Sequence, residues 1–317
     1  MQKVLVFLGV VAVALFLLRT PDTDPSAMRA KYADDSSRFA EGADGMQVHY
    51  RDQGNPEGTP IVLIHGSSAS LHTWEPLVER LGADYRLITY TQPGHGLTGP
   101  HPRDDYSFAG RAEALDLITE ELGLERFVLG GNSMGGWMTW RYALARPERI
   151  EALLLLDASG APLRPGEEEP PLNIGFRLLQ SPVGRFLSLH YTPRAVIERS
   201  ALQTVSVKSV MDEAAVDRYW ELLRYPGNRR AAGLRAVVER EPEYAGRLGE
   251  IEAPTLIIWG AEDRLVLASA AQTFDDAMPN AKVIIYDGIG HLPMEEAPDR
   301  TAEDIDAFLK TLLTGSS

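Results

Sequence analysis

The sequence predicts an α/β fold: a mostly parallel twisted sheet with helices on both faces, a helical lid insertion and an N-terminal apolar segment. Short apolar runs such as Ile61-Val62-Leu63-Ile64 and Thr255-Leu256-Ile257-Ile258-Trp259 alternate with amphipathic stretches at 108–122 and 137–145. That alternation is the pattern of buried parallel strands joined by crossover helices. About ninety residues separate the apolar run 150–156 from Ile251, far more than the 2–6 of an ordinary αβ connection, so this stretch reads as an insertion. At 317 residues and 44% hydrophobic, the chain can bury the core of one large domain.

In chain order, Lys3 precedes residues 4–18, which are uncharged and almost wholly apolar, and Arg19-Thr20-Pro21-Asp22 ends the run. As a helix this run reaches about 22 Å, which spans a hydrocarbon core of roughly 30 Å only if flanking residues snorkel. No small-x-small cleavage site follows Leu18, so residues 1–20 read as a retained membrane anchor, with a cleaved signal peptide and secretion as the alternative. Lys3 opposes Arg19, Arg29 and Lys31 in setting the topology, and the extracytoplasmic side is the expectation. Residues 21–45 read as a polar linker, 46–160 and 251–317 as the α/β core, and 161–250 as a helical lid. The lid opens on the charged, proline-rich 164–171, followed by helical patterns at 172–179, 182–189, 193–202, 212–224 and 228–240. Its Phe176, Leu179, Phe186, Leu187, Tyr219 and Trp220 either line a substrate pocket or pack within the lid.

A net charge of −14 argues against binding a phosphate backbone, which needs clustered Lys and Arg. With no cysteine, disulfides, thiolate catalysis and Cys-based zinc sites are excluded. No His/Asp/Glu cluster has metal-ligand spacing, so neither a metal nor a cofactor is expected.

Gly131-Asn132-Ser133-Met134-Gly135 follows the apolar run Phe127-Val128-Leu129 and precedes a helix-like stretch. This is the strand, tight turn and helix of a nucleophile elbow. A serine at the tip of such a turn needs neighbours two residues away that lack a Cβ, which Gly131 and Gly135 satisfy. The helix start also aims free N–H groups and a positive dipole end at the site. Taken alone, the pentapeptide also describes a glycine-rich connection with an idle serine, the less favoured of the two readings.

A hydrolytic serine in this context is followed along the chain by an acid and then a histidine. Asp263 lies just past the run 255–259, and His291 lies in the glycine-rich loop after Lys282-Val283-Ile284-Ile285-Tyr286. His291 is the base by elimination: His49, His65, His72, His95 and His101 precede the serine, and His190 falls in the lid. Asp157, at the end of the run 150–156, is a rival acid or else a turn-capping residue, and Glu262 is a weaker rival. The loop His65-Gly66-Ser67-Ser68 after Ile64 supplies a second oxyanion donor, so the N–H groups of Ser67 and Met134 are the candidate pair; the same loop also reads as a helix N-cap.

The segments Ile64-His65-Gly66, Gln92-Pro93-Gly94-His95-Gly96, Gly131 to Gly135, Trp259-Gly260-Ala261-Glu262-Asp263 and Gly290-His291 together resemble the α/β-hydrolase superfamily, in its lid-bearing esterase and meta-cleavage hydrolase branch. The resemblance covers roughly residues 46–313. It implies an enzyme with Ser133 as nucleophile, His291 as base and Asp263 as orienting acid. Haloalkane dehalogenases and epoxide hydrolases, which share much of the pattern, carry Asp at the elbow, so Ser133 implies acyl transfer. Carbon–carbon meta-cleavage hydrolases typically place tryptophans after the histidine, where this chain reads Leu292-Pro293-Met294. Thr91 stands where the family usually carries Asp, a change confined to a turn. The expected function is hydrolysis of small or medium carboxylic esters through an acyl-enzyme. A carbon–carbon or lactone hydrolase with the same three residues is one alternative, and a non-catalytic ligand-binding module on the same fold is the other.

Overall fold

The structure is a computed structural model that describes residues 18–238 and 242–314. Eight strands form one sheet in the order β1-β2-β4-β3-β5-β6-β7-β8. They are β1 (Ser37–Glu41), β2 (Gln47–Gly54), β3 (Pro60–Ile64), β4 (Arg86–Tyr90), β5 (Phe127–Asn132), β6 (Ile150–Leu156), β7 (Thr255–Gly260) and β8 (Ala281–Tyr286). β1 pairs antiparallel with β2, and β2 antiparallel with β4. From β4 through β8 every pairing is parallel.

The strands' apolar residues divide by parity between the two faces, as the two-residue period of a strand requires. Val62, Ile64, Leu129, Leu153, Leu155, Ile257 and Trp259 share one buried cluster with residues of α3 (Phe108–Glu121), α4 (Met134–Ala145) and α10 (Ser269–Ala277). Ile61, Leu63, Val128, Leu154, Leu156 and Ile258 share the other with α2 (Glu75–Leu81) and α12 (Pro298–Thr314). A sheet covered on both faces puts the carboxyl ends of its parallel strands at one edge, where an α/β fold places its site.

Between β6 and β7 the chain forms α5 (Ile174–Gln180), α6 (Pro182–Ser188), α7 (Arg194–Leu202), α8 (Glu213–Leu223) and α9 (Asn228–Arg235). Side-chain caps begin three of them: Asn173 accepts from Phe176 N, Ser181 from Gly184 N and Asp212 from Ala215 N. Each thereby satisfies an otherwise orphaned first-turn donor.

The stretch expected to be a polar linker is structured. Pro25–Tyr32 forms α1, capped by Asp24, and Ser37–Glu41 is the sheet's edge strand. From Thr20 onward the chain lies against the β6–β7 insertion. Thr20 N donates to His190 O at 2.8 Å, Arg229 donates to Thr20 O at 2.7 Å and pairs with Asp22 at 2.6 Å, and Tyr32 Oη donates to Glu221 at 2.6 Å. The transmembrane anchor and the membrane-anchored, extracytoplasmic localisation expected from the sequence are corrected here. Among the described residues no helix is long and apolar enough to cross a membrane. Residues 4–17, on which that expectation rested, lie outside the described residues.

Candidate active site

Ser133 sits between β5 and α4 with φ 56° and ψ −119°, a positive-φ conformation that a non-glycine residue adopts only under constraint. The constraint comes from packing around the turn. A Cβ on Gly131 would lie 2.3 Å from Gly135 O, and one on Gly135 would lie 2.0 Å from Ile64 O. The turn is pinned from below: Ser133 N donates to Leu156 O at 3.1 Å, while Trp137 N and Ser159 N both donate to Ser133 O.

His291 is buried on the loop after β8, and its Nδ1 lies 2.7 Å from Asp263 Oδ2, with the Asp263 side chain fully enclosed. The other Asp263 oxygen accepts from Leu265 N at 2.7 Å and Val266 N at 3.2 Å. Three donors on one buried carboxylate fix its orientation. With Nδ1 donating to Asp263, Nε2 is left as the ring's acceptor. Ser133 and His291 line the same cavity.

Two contacts that sequence reasoning missed hold this loop in place. Asn132 Nδ2 donates to both His291 O at 2.9 Å and Leu156 O at 3.1 Å, bridging the serine turn to the histidine loop. Glu296, in the short helix α11 (Pro293–Glu296), accepts four backbone N–H groups: Ser206, Val207 and Gly290 on Oε2, and Leu292 on Oε1. His291 N also donates to Thr204 O at 2.9 Å. The His291 loop is thus fastened to the β6–β7 insertion.

Ser67 and Met134 adjoin, with Ser67 Oγ donating to Met134 Sδ at 3.3 Å. Met134 is the first residue of α4, whose first-turn N–H groups have no intrahelical acceptor. A Cβ on Gly66 would come within 3.1 Å of Ser133 Cβ, so only glycine lets this loop pass so close to the serine. His65 holds the loop: Nδ1 lies 2.7 Å from Gly66 O, and Nε2 accepts from Gln92 N at 3.0 Å. Burial pushes its pKa down to about 3, so the ring is neutral.

Asp157 immediately follows β6 with φ 46° and is completely buried. Its Oδ1 accepts from Gly260 N at 3.0 Å. Burial first, and the Asp263 carboxylate second, push it well above the usual carboxylate range. Glu262, the weaker rival, is exposed. His190 is absent from the cavity wall and packs against Phe186 and Tyr191.

The cavity measures about 170 Å³ and its wall is mainly apolar. Of the six expected pocket residues, Phe176, Leu179 and Tyr219 line it. Phe186 and Leu187 are instead exposed, and Trp220 Nε1 donates to Thr192 O. Two side-chain groups among the described residues bring three ligand-type atoms within 4.8 Å of one another, a proximity that no sequence spacing announces. One is Asp157, Asp263 and His291, where the ring nitrogen facing Asp263 is already hydrogen-bonded. In the other, Asp44, His101 and Glu113, the two carboxylates are joined by the Arg103 guanidinium.

The family model described as alpha/beta hydrolase fold matches residues 59–298. Over 86% of its length the chain is 29% identical to a 2-hydroxy-6-oxononadienedioate/2-hydroxy-6-oxononatrienedioate hydrolase of Dechloromonas aromatica, covering 93% of that protein. A meta-cleavage product hydrolase from Pseudomonas fluorescens superposes with a TM-score of 0.71 at 22% identity, over 86% of this chain and 97% of that one. An esterase from Thermogutta terrifontis superposes with a TM-score of 0.70 at 22% identity, over 87% and 98%. Both superpositions speak to the fold alone.

Proposed function

We propose, on the premise that this chain belongs to the alpha/beta hydrolase fold family and is a hydrolase, that it cleaves carboxylic esters of small or medium apolar acids. The observation that carries this reading is a serine on a strained strand-to-helix turn, sharing one apolar cavity with a histidine whose far nitrogen is held by a buried carboxylate.

Ser133 Oγ attacks the acyl carbon as His291 Nε2 takes its proton, and the negative charge on the carbonyl oxygen falls between the N–H groups of Ser67 and Met134. Collapse expels the alcohol, which leaves with the proton from His291. Water, deprotonated by the same nitrogen, then clears the acyl-enzyme. Asp263 fixes the imidazole tautomer and stabilises the imidazolium. A serine ether formed by displacing halide or opening an epoxide would not be cleared in this way.

The cavity wall favours an uncharged acyl group. Arg229, which lines it, is committed to Asp22 and to Thr20 O. The five helices of the insertion act as a lid whose Phe176, Leu179 and Tyr219 bound the acyl group. Each buried methylene adds about 0.8 kcal/mol until the space is full. Across a series of nitrophenyl esters, kcat/KM rises with chain length and then collapses. A flat profile out to long chains contradicts this reading.

A second reading, carbon–carbon hydrolysis, is favoured by the relatives named as dienedioate hydrolases. Turnover of vinylogous diketones without ester activity would establish it instead.

A further inference from the structure

Asp157 is the buried acid that the mechanism above leaves unused. A carboxyl oxygen of Asp157, one of Asp263 and a ring nitrogen of His291 lie within 4.8 Å of one another. Asp157 Oδ1 accepts the Gly260 N–H, whereas Oδ2 is fully buried with no hydrogen-bond partner among the described residues. Asp263 has three donors; Asp157 has one. Two carboxylates enclosed at this spacing cannot both be charged. The proton therefore belongs on the one with fewer donors.

We propose that Asp157 is a positioning residue that stays protonated through the catalytic cycle and turns its acid hydrogen toward the Asp263 carboxylate, steadying the group that holds His291. This inference rests on the reading of Ser133, His291 and Asp263 given above. The titratable groups facing Asp157 are Asp263 at the end of β7, His291 after β8 and Glu296 in α11. Glu296 is engaged by its four backbone donors, and both carboxylates oppose a further negative charge at Asp157. Burial and the Asp263 charge raise Asp157 in the sense this assignment needs.

Asn is a close mimic of a protonated Asp, since its oxygen can still accept from Gly260 N and its amide can still donate to Asp263. In Asp157→Asn, kcat/KM falls by less than about tenfold, and the acid limb of its pH profile, which reports the free enzyme's base, keeps its position. Asp157→Ala removes the donor and falls roughly 10- to 100-fold. If Asp157 were ionised, Asp157→Asn would delete a negative charge beside His291 and move the acid limb to lower pH by a unit or more, overturning the proposal. If Asp157 were the orienting acid, the Asn variant would lose about 10⁴ while Asp263→Asn retained activity, which overturns the site reading instead. Infrared difference spectra of the two folded, resting proteins give a readout free of turnover. A protonated carboxylic C=O band present in the native chain and absent in Asp157→Asn supports the proposal, and its absence from the native chain sinks it.

Discussion

His291 Nδ1 and Asp263 Oδ2 are 2.7 Å apart, buried, and carried by loops that follow neighbouring parallel strands. Because β7 and β8 run side by side in one direction, their carboxyl ends deliver Asp263 and His291 to the same edge. Asp263→Asn should therefore lower kcat by about 10⁴ by favouring the wrong tautomer while the fold persists. Steady-state kinetics with a chromogenic ester check this, and a loss below tenfold would remove Asp263 from its assigned role.

Glu296 ties four backbone N–H groups from two segments to one carboxylate. Glu296→Ala leaves those donors without an acceptor, and each buried unpaired group costs about 1–3 kcal/mol. The expected result is a fall in both thermal midpoint and kcat, with KM changed less than kcat. Glu296→Gln, which keeps one accepting oxygen, should recover part of both. A Gln variant no better than Ala would show that the packing volume matters and the hydrogen bonds do not.

The spacing of Ser133, Asp263 and His291 was legible because it is local. Ser133 follows β5 directly, Asp263 and His291 lie in the short loops just past β7 and β8, and glycines mark the turns at Ser133 and His291. The contacts that fasten the site were not legible. Asn132 meets His291 O across 159 positions, and Glu296 meets Ser206 N across 90; backbone partners at such separations leave no trace in residue type. The edge strand Ser37–Glu41 reads as polar chain because only Ala40 of its five residues is fully buried. The close approach of Asp157 to Asp263 follows from β6 and β7 being neighbours, a strand order that the sequence leaves open.

Acid should destabilise the fold through its buried histidines. Burial pushes His49, His65 and His72 down to about 3 and His95 well below its ordinary value, so all four are neutral when folded. Unfolded, each takes up a proton as pH drops below about 6.5, so their stabilising contribution is present above that pH and is lost progressively toward 3. Glu295, pushed up to about 7 by burial, and Asp157 act in the opposite sense, since both are protonated when folded and ionised when unfolded between pH 5 and 6. A net uptake of about two protons on unfolding remains, equivalent to roughly 2–3 kcal/mol of stability lost per pH unit. Guanidinium titrations at pH 6 and pH 5 measure it. A midpoint that stays constant or rises on acidification contradicts the neutral-histidine assignment.

In the proposed mechanism Ser133 carries the acyl group. Mass analysis after treatment with a fluorophosphonate probe tests it most directly: the native chain should gain one adduct, mapped to the peptide containing Ser133. Ser133→Ala should gain none and lose ester hydrolysis by several orders of magnitude, because residues acting as one unit fail together. An adduct that persists in Ser133→Ala, or ester turnover at the native rate in that variant, would contradict the account.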